Sequence, residues 1–317
     1  MRVLVAGATG VIGRALVPLL ASAGHEVLGL ARTPGTDPAA TWVTADALDR
    51  TSVLRAVRNA APDAVVHVLT ALPGAVDPRR MGRDLGPTNR LRTEGTAALL
   101  AAAGVVGVAK VISQGLAYAY DPAGEGLADE DTPLWRRPPK QFRSPLHALE
   151  DLERQTAQAG GLVLRFGHLY GPGSIYAPDG TFVAAVRAGK VPVVGRGTAT
   201  FSFTHAHDAA TAVVAALDKD STGVLNIVDD DPAPVSAWLP ALAEVLRAPH
   251  PGHVPAALTR IAVGGWGVAY MTRLRGADNA RARLQLNWRP RFPSWRDGFH
   301  AELAAAPPLA RPTQDPR

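Results

Sequence analysis

Short apolar runs alternate with stretches of helical periodicity through the first half of this chain. RVLVAGA, EVLGLA, WVTAD, AVVHVLTA, KVIS and LVLRF are the runs, and each reads as a strand of a sheet buried on both faces. Between the first two, Ile12, Leu16, Leu19 and Leu20 recur at helical spacing, and Gly24 stops the helix. The same spacing predicts helices over 49–60, 89–103 and 145–159. Strand alternating with helix implies a parallel sheet, and right-handed crossovers make it a doubly wound α/β sheet. Beyond Gly167 the alternation degrades. Proline and glycine accumulate in GHLYGPGS and PVVGRG, after which a helix over about 208–217 and the strand VLNIV return to the sheet. The remainder, to about residue 305, reads as mostly helical.

The chain has 317 residues, 47% hydrophobic and 19% charged, enough for a sizeable core. With no cysteine, disulfides, thiolate nucleophiles and cysteine-based metal sites are excluded. The net charge is +5, and arginines cluster at Arg79, Arg80, Arg83, Arg90 and Arg92. No aromatic interleaving accompanies them, so they read as solvated residues and not as a nucleic-acid footprint. Arg2 before an apolar stretch imitates a signal peptide, but Gly7, Gly10 and Gly13 interrupt it. No apolar run is long enough to span a bilayer. A cytoplasmic protein that engages neither membrane nor nucleic acid is expected.

GATGVIG places Gly7, Gly10 and Gly13 between the first strand and the first helix. Gly7 permits a tight turn, Gly10 lets the backbone approach a pyrophosphate, and Gly13 lets the helix pack close to the sheet. The helix N-terminus then offers free N–H groups and a positive dipole to phosphates. This is the Rossmann arrangement for a dinucleotide, with Thr9, Val11 and Ile12 completing the loop. The second strand ends in GLARTPG, with Arg32 where NAD sites usually carry an acid. An acid repels a 2′-phosphate, whereas an arginine binds one with two hydrogen bonds. NADPH/NADP+ is therefore the expected cofactor. Asp46 and Ala47 after the third strand, and Leu69 after the fourth, are further expected contacts, with Asp46 directed at the adenine amino group.

With GATGVIG, AVVHVLTA, RTEGTAALLAAA, KVISQGLAY, SPLHALEDLE, LRFGHLYGPG, FTHAHDAATAVVAAL and NWRPRF in order, the chain resembles the extended short-chain dehydrogenases/reductases. These are the relatives of nucleotide-sugar epimerases and dehydratases. The likeness covers nearly the whole chain. It implies a Rossmann dinucleotide-binding domain of 1–167 plus about 204–228. A smaller, mostly helical substrate lobe of about 168–203 plus 229–305 would follow, with 306–317 a disordered tail. It also implies a Tyr and a Lys spaced Y-x-x-x-K on one helix, with a Ser or Thr after an earlier strand. In such enzymes the Tyr moves the proton, and the Lys holds the nicotinamide ribose and lowers the Tyr pKa. Laid on SPLHALEDLE, that pattern puts Leu146 at the Tyr and Glu150 at the Lys, and the segment contains neither residue in any register. The Ser position falls near Gln114 or Gly115, with Ser113 one step off. The chain is thus expected to be an atypical member.

General acid catalysis is worth about 10²–10⁴ in rate, whereas positioning contributes about 7–11 kcal/mol. Hydride transfer to a ketone survives the loss if the developing alkoxide is stabilised, as by a neighbouring phenol of the substrate. The expected function is NADPH-dependent reduction of a ketone on a flat, hydroxylated aromatic polyketide in antibiotic biosynthesis. Ser113, Gln114 and Tyr118, with Tyr120, are the candidate substitutes for the missing acid, and His168, Trp266 and Tyr270 the candidate substrate contacts. Trp135, Phe142 and Met271 are further pocket candidates. Glu150 reads either as a ribose contact or as a solvated helix acid. HAHD, 205–208, has the look of metal-ligand spacing, but the resemblance implies that Asp208 caps a helix there, and no resident metal is expected. A homodimer is possible. The alternatives are a non-catalytic NADP(H)-sensing regulator and a non-redox lyase or cyclase.

Overall fold

The computed structural model describes residues 1–304; the expected tail at 306–317 lies outside them. Seven parallel strands form the central sheet: β1 (Arg2–Ala6), β2 (Glu26–Ala31), β3 (Ala40–Thr44), β4 (Ala64–His67), β5 (Lys110–Leu116), β6 (Leu162–Phe166) and β11 (Gly223–Ile227). Their spatial order is β3-β2-β1-β4-β5-β6-β11, the doubly wound order, with the chain reversing direction across the sheet between β1 and β4. The register pairs Val5 with Val66 and His67 with Ser113.

Alternate residues of each strand serve the two faces. Val3, Val5, Val66, Ile112, Leu164 and Ile227 face α1 (Val11–Ser22) and α8 (Ala206–Leu217). Leu4, Ala6, Leu28, Leu30 and Val65 face α2 (Arg50–Ala60) and α5 (Thr96–Val106). Burial on both faces explains why the strands read as apolar runs and not as alternating ones. Asp49 starts α2 by accepting the Thr51 and Ser52 N–H groups at 3.0 and 3.1 Å.

Three segments depart from the sequence reading. The helix expected over 89–103 is broken: α3 (Met81–Asp84) and α4 (Gly86–Arg90) lead into a π-helical turn, Leu91–Gly95, before α5. The helix α6 (Lys140–Gln158) begins before Pro145, which lies inside it. Proline favours a first helical turn, but here Pro139 is the N-cap and Pro145 forgoes one backbone bond. In α8 the cap is His205, whose Nδ1 accepts the His207 N–H at 3.1 Å. Asp208 sits in the first turn, buried, and accepts the Arg291 and Phe292 N–H groups at 2.8 and 3.2 Å. It anchors the NWRPRF segment and is not the cap.

The second lobe contains α7 (Thr181–Arg187), α9 (Val235–Val245), α10 (Ala256–Thr272) and α12 (Trp295–Leu303). Three two-stranded ladders join them: β7 (His168–Tyr170) with β10 (Phe203–His205), β8 (Val193–Val194) with β13 (His253–Val254), and β9 (Thr200–Phe201) with β12 (Ala233–Pro234). Its core is aromatic, built on Trp238, Phe201, Phe203, Trp295 and Phe299. Residues 280–288, expected in this lobe, pack elsewhere. α11 (Ala280–Leu286) and Trp288 bury Ala282, Leu286 and the indole in the core shared by α1 and α8.

Candidate active site

The loop after β1 is shaped by what its glycines leave out. Gly7 has φ +104°, and a Cβ there would stand 2.7 Å from the Val68 carbonyl oxygen. A Cβ on Gly13 would overlap the Gly7 carbonyl and the Ala8 backbone. At Gly10, the N-cap of α1, a Cβ would meet only the Gly7 oxygen, at 3.2 Å. Gly7 and Gly13 are therefore demanded by the fold, while Gly10 keeps the approach to the helix open. The first-turn N–H groups of Val11, Ile12 and Gly13 have no intrahelical acceptor. Thr9 is exposed, and its carbonyl accepts Arg14 Nε at 2.8 Å. Arg32 is exposed just beyond β2. Asp46 is exposed, with Oδ1 accepting the Leu48 N–H at 3.0 Å; Ala47 is buried and Leu69 half-buried. These residues fit a dinucleotide: an open glycine cradle and a helix N-terminus for phosphates, with an unencumbered guanidinium at the edge. Such a group supplies or accepts hydride when bound.

α6 is different. Its inner face carries Phe142, Pro145, Leu146, Leu149 and Leu152, all buried, while Glu150 is exposed. Glu150 is exposed to solvent one helical turn beyond the buried Leu146. Ser113 is buried, its Oγ accepting Thr156 Oγ1 at 2.9 Å, so it ties β5 to α6. Gln114 is half-buried. A Cβ on Gly115 would press on the Arg165 and Val163 side chains at 2.8 Å. Arg165 there makes a bidentate pair with Glu153, at 2.8 and 2.6 Å. Tyr120 is locked, its hydroxyl donating to Asn226 Oδ1 at 2.6 Å.

Tyr118, by contrast, is half-buried and stacks on His168, ring centroids 4.6 Å apart. His168 stacks in turn on Phe201 at 3.8 Å, and Tyr270 sits edge-on to His168 at 5.5 Å. Burial lowers the His168 pKa to about 3, so the ring is neutral. Its Nδ1 lies 3.2 Å from the Ser202 carbonyl oxygen and, as the N–H tautomer, donates to it. Nε2 is buried and has no partner among the described residues. The Tyr118 phenol is pushed above its usual pKa by burial, an effect opposed by Arg92, so it keeps its proton. Burial raises the pKa of the Tyr176 and Tyr270 phenols, so both keep their protons.

The tertiary structure thus gathers Tyr118, His168 and Tyr270, whereas Ser113 lies deeper, against α6. Trp266 is 2% exposed, sandwiched by Phe142 at 3.9 Å and Trp135 at 6.0 Å. It is a wall behind the cleft, not a free contact. Arg92 is the residue that sequence reasoning missed. Read as a solvated arginine, it is buried, with Tyr118 among the groups it senses. No local signal marks it, because the π-helical turn that rotates it inward is not encoded by hydrophobic spacing. The HAHD residues serve the helix cap and backbone bonds already described. Among the described residues, no cluster of three or more His, Asp or Glu side chains could hold a metal ion. Among the same residues, no helix is long and apolar enough to cross a membrane.

Residues 3–228 match the NAD dependent epimerase/dehydratase family. A Streptomyces protein named 3-diazoavenalumate denitrifying reductase is 47% identical over 311 residues, covering 95% of this chain and 100% of that protein. The dTDP-6-deoxy-L-talose 4-dehydrogenase (NAD(P)(+)) of Kitasatospora kifunensis is 27% identical, over 92% of this chain and 91% of its own. The UDP-glucose 4-epimerase of Thermotoga maritima superposes with a TM-score of 0.74 at 22% identity, over 96% of this chain and 97% of its own. That last likeness speaks for the fold alone. Glycine cradle, seven-stranded sheet and family match agree: the chain belongs to the NAD dependent epimerase/dehydratase family, as an atypical extended short-chain dehydrogenase/reductase with hydrocarbon on the helix that normally carries the acid–base pair.

Proposed function

We propose that this protein is a reductase that directs hydride from NADPH onto an aromatic substrate at a centre needing no proton from the protein. The observation that carries this reading is the inner face of α6, where Pro145, Leu146 and Leu149 are buried and no phenol or ammonium stands. The cradle for the hydride donor is kept beside it. Arg32 supports the 2′-phosphorylated form of the cofactor, because an exposed guanidinium at the end of the second strand attracts a phosphate.

The 47% identical relative favours one substrate class, since its name couples a diazo compound to reductive loss of nitrogen. For an aryl diazonium the balance is ArN2+ + NADPH → ArH + N2 + NADP+. Hydride forms the new C–H bond, and the C–N bond breaks with both electrons leaving on N2. No proton enters, so the missing acid costs nothing. Tyr118 and Tyr270, both half-buried, suit such a substrate, offering aromatic surface to a flat arene, while His168 and Phe201 are buried behind Tyr118 and support it.

The ketone of an angucyclinone-like polyketide is the second reading. It is favoured by Tyr118, a half-buried phenol that keeps its proton and can give it to an alkoxide. One experiment separates the two. The protein is supplied with 4-deuterated NADPH and either an aryl diazonium or an angucyclinone ketone. The first reading expects deuterium in the arene C–H, with N2 and NADP+ formed one to one and the rate unchanged by Tyr118→Phe. The second expects deuterium on the carbinol carbon and a rate that Tyr118→Phe lowers by about 10²-fold or more. Bound NADPH with no deuterium transferred to either substrate would defeat the reductase reading.

A further inference from the structure

Arg92 carries its charge on a side chain that is almost wholly buried. It is 6% exposed, it makes no hydrogen bond or ion pair among the described residues, and none of its nitrogens is wholly buried, so the head of the guanidinium touches solvent. Glu153 is the carboxylate it senses, and both oxygens of Glu153 are already taken by Arg165. The Tyr118 phenol, within electrostatic reach of it, keeps its proton. An arginine stays charged at any working pH, and a mostly buried guanidinium whose head is still reachable gains from an anion that pairs with it through two hydrogen bonds.

The turn that carries Arg92 is held in place. Leu91–Gly95 is π-helical, a geometry that adds a residue to the turn and recurs at functional sites. Gln155 Nε2 on α6 donates to the Thr93 carbonyl at 3.3 Å, and Asn89 Nδ2 donates to Ser144 Oγ at 3.1 Å. Arg90 is exposed on the outer face of the same segment, while Arg92 is turned inward. Thr96 Oγ1 lies 2.9 Å from His67 Nε2 at the end of β4 and 3.5 Å from the Leu91 carbonyl, and Tyr118 follows β5. The turn that carries Arg92 therefore stands at the carboxyl end of β4, on the side where a doubly wound sheet binds its ligands.

We propose that Arg92 is the anion anchor of the substrate cleft, pairing with the carboxylate of an aromatic acid whose ring lies against Tyr118. The proposal deepens the hydride-transfer reading and rests on it for the aromatic ring. It also removes an electrostatic objection. A cationic diazonium is repelled by a buried guanidinium, unless the same molecule brings a carboxylate to neutralise it. A planar guanidinium grips a carboxylate through two parallel N–H···O bonds, which fixes the ring's orientation as well as its charge.

The test is equilibrium binding to the NADP+-loaded protein, with cinnamate and methyl cinnamate as probes and tryptophan fluorescence as readout. The wild type is expected to bind the acid at least about thirtyfold more tightly than the ester. Arg92→Met is expected to erase that preference while leaving NADP+ affinity unchanged, and Arg92→Lys to retain part of it. The thermal midpoint without probe separates anchoring from a structural role. Removing an unpaired buried charge raises or preserves it, whereas removing a structural ion pair lowers it. Acid and ester binding alike, neither binding, or Arg92→Met losing both stability and NADP+ binding would overturn the anchor. The deuterium experiment fails or succeeds independently. An acid preference that depends on Arg92 without deuterium transfer keeps the anchor and sinks the reductase, and the reverse result does the opposite.

Discussion

The loop after β1 and the helix α6 reach toward the same cleft and have kept different things. The loop retains Gly7, Gly10 and Gly13, two of them at places where a methyl group would run into backbone. α6 retains its length, its packing against β5 and the buried Glu153–Arg165 pair, but shows hydrocarbon where relatives move protons. The glycines answer hard-sphere constraints, which no neighbouring change relieves. A Tyr and a Lys answer a chemical need that vanishes once the substrate requires no proton. Holding a dinucleotide and performing acid–base chemistry are therefore separable properties of this fold.

The severest way to break the comparison is on the loop side. Gly13→Val drives a side chain into the Gly7 carbonyl and should weaken NADPH binding by more than about 100-fold, measured by cofactor fluorescence. Retained affinity would mean that the cradle is not the cofactor site. Arg165→Met tests what α6 still contributes. It leaves the Glu153 carboxylate buried without its partner and should cost about 3–5 kcal/mol in urea unfolding.

A smaller effect comes with pH. Burial lowers His67 to about 4 and His168 to about 3, so both rings are neutral when folded. Unfolded, they titrate near 6.5. Between those values the unfolded chain binds more protons, so stability that is complete above about pH 6.5 is lost as pH falls toward 4. Equal urea midpoints at pH 7.5 and pH 5 would contradict buried neutral imidazoles. Arg32→Glu should lower the NADPH-over-NADH preference by about tenfold or more, because it sets a carboxylate against the 2′-phosphate. Smallest of all, Glu150→Gln should change turnover and stability by less than about twofold and 0.5 kcal/mol, as befits an exposed helix acid. A large effect there would return Glu150 to the cofactor and erase the contrast.

The strands, the glycine loop and the absence of Tyr and Lys from SPLHALEDLE were all legible in the chain. Each is a local property: an apolar run, a fixed glycine spacing, the composition of one segment. That last inference holds in any register, so it does not depend on which residue faces inward. What stayed hidden needed partners far away in sequence. Asp208 looks like a helix cap until the backbone of Arg291 and Phe292 arrives to take its carboxylate.

Sequence alone determined the doubly wound dinucleotide fold, because short-range periodicity and glycine spacing suffice for it, and, laid against the resemblance to extended short-chain dehydrogenases/reductases, it showed that the Tyr and Lys are absent. Tertiary structure alone decided that Glu150 is exposed, that Arg92 is buried, and that His168 lies between Tyr118 and Phe201 with one nitrogen unpartnered among the described residues. Those outcomes depend on helix rotation, on one π-helical turn and on contacts between β5, β7 and β9. Such relations are settled by the packing of the whole core, and no window of sequence contains them.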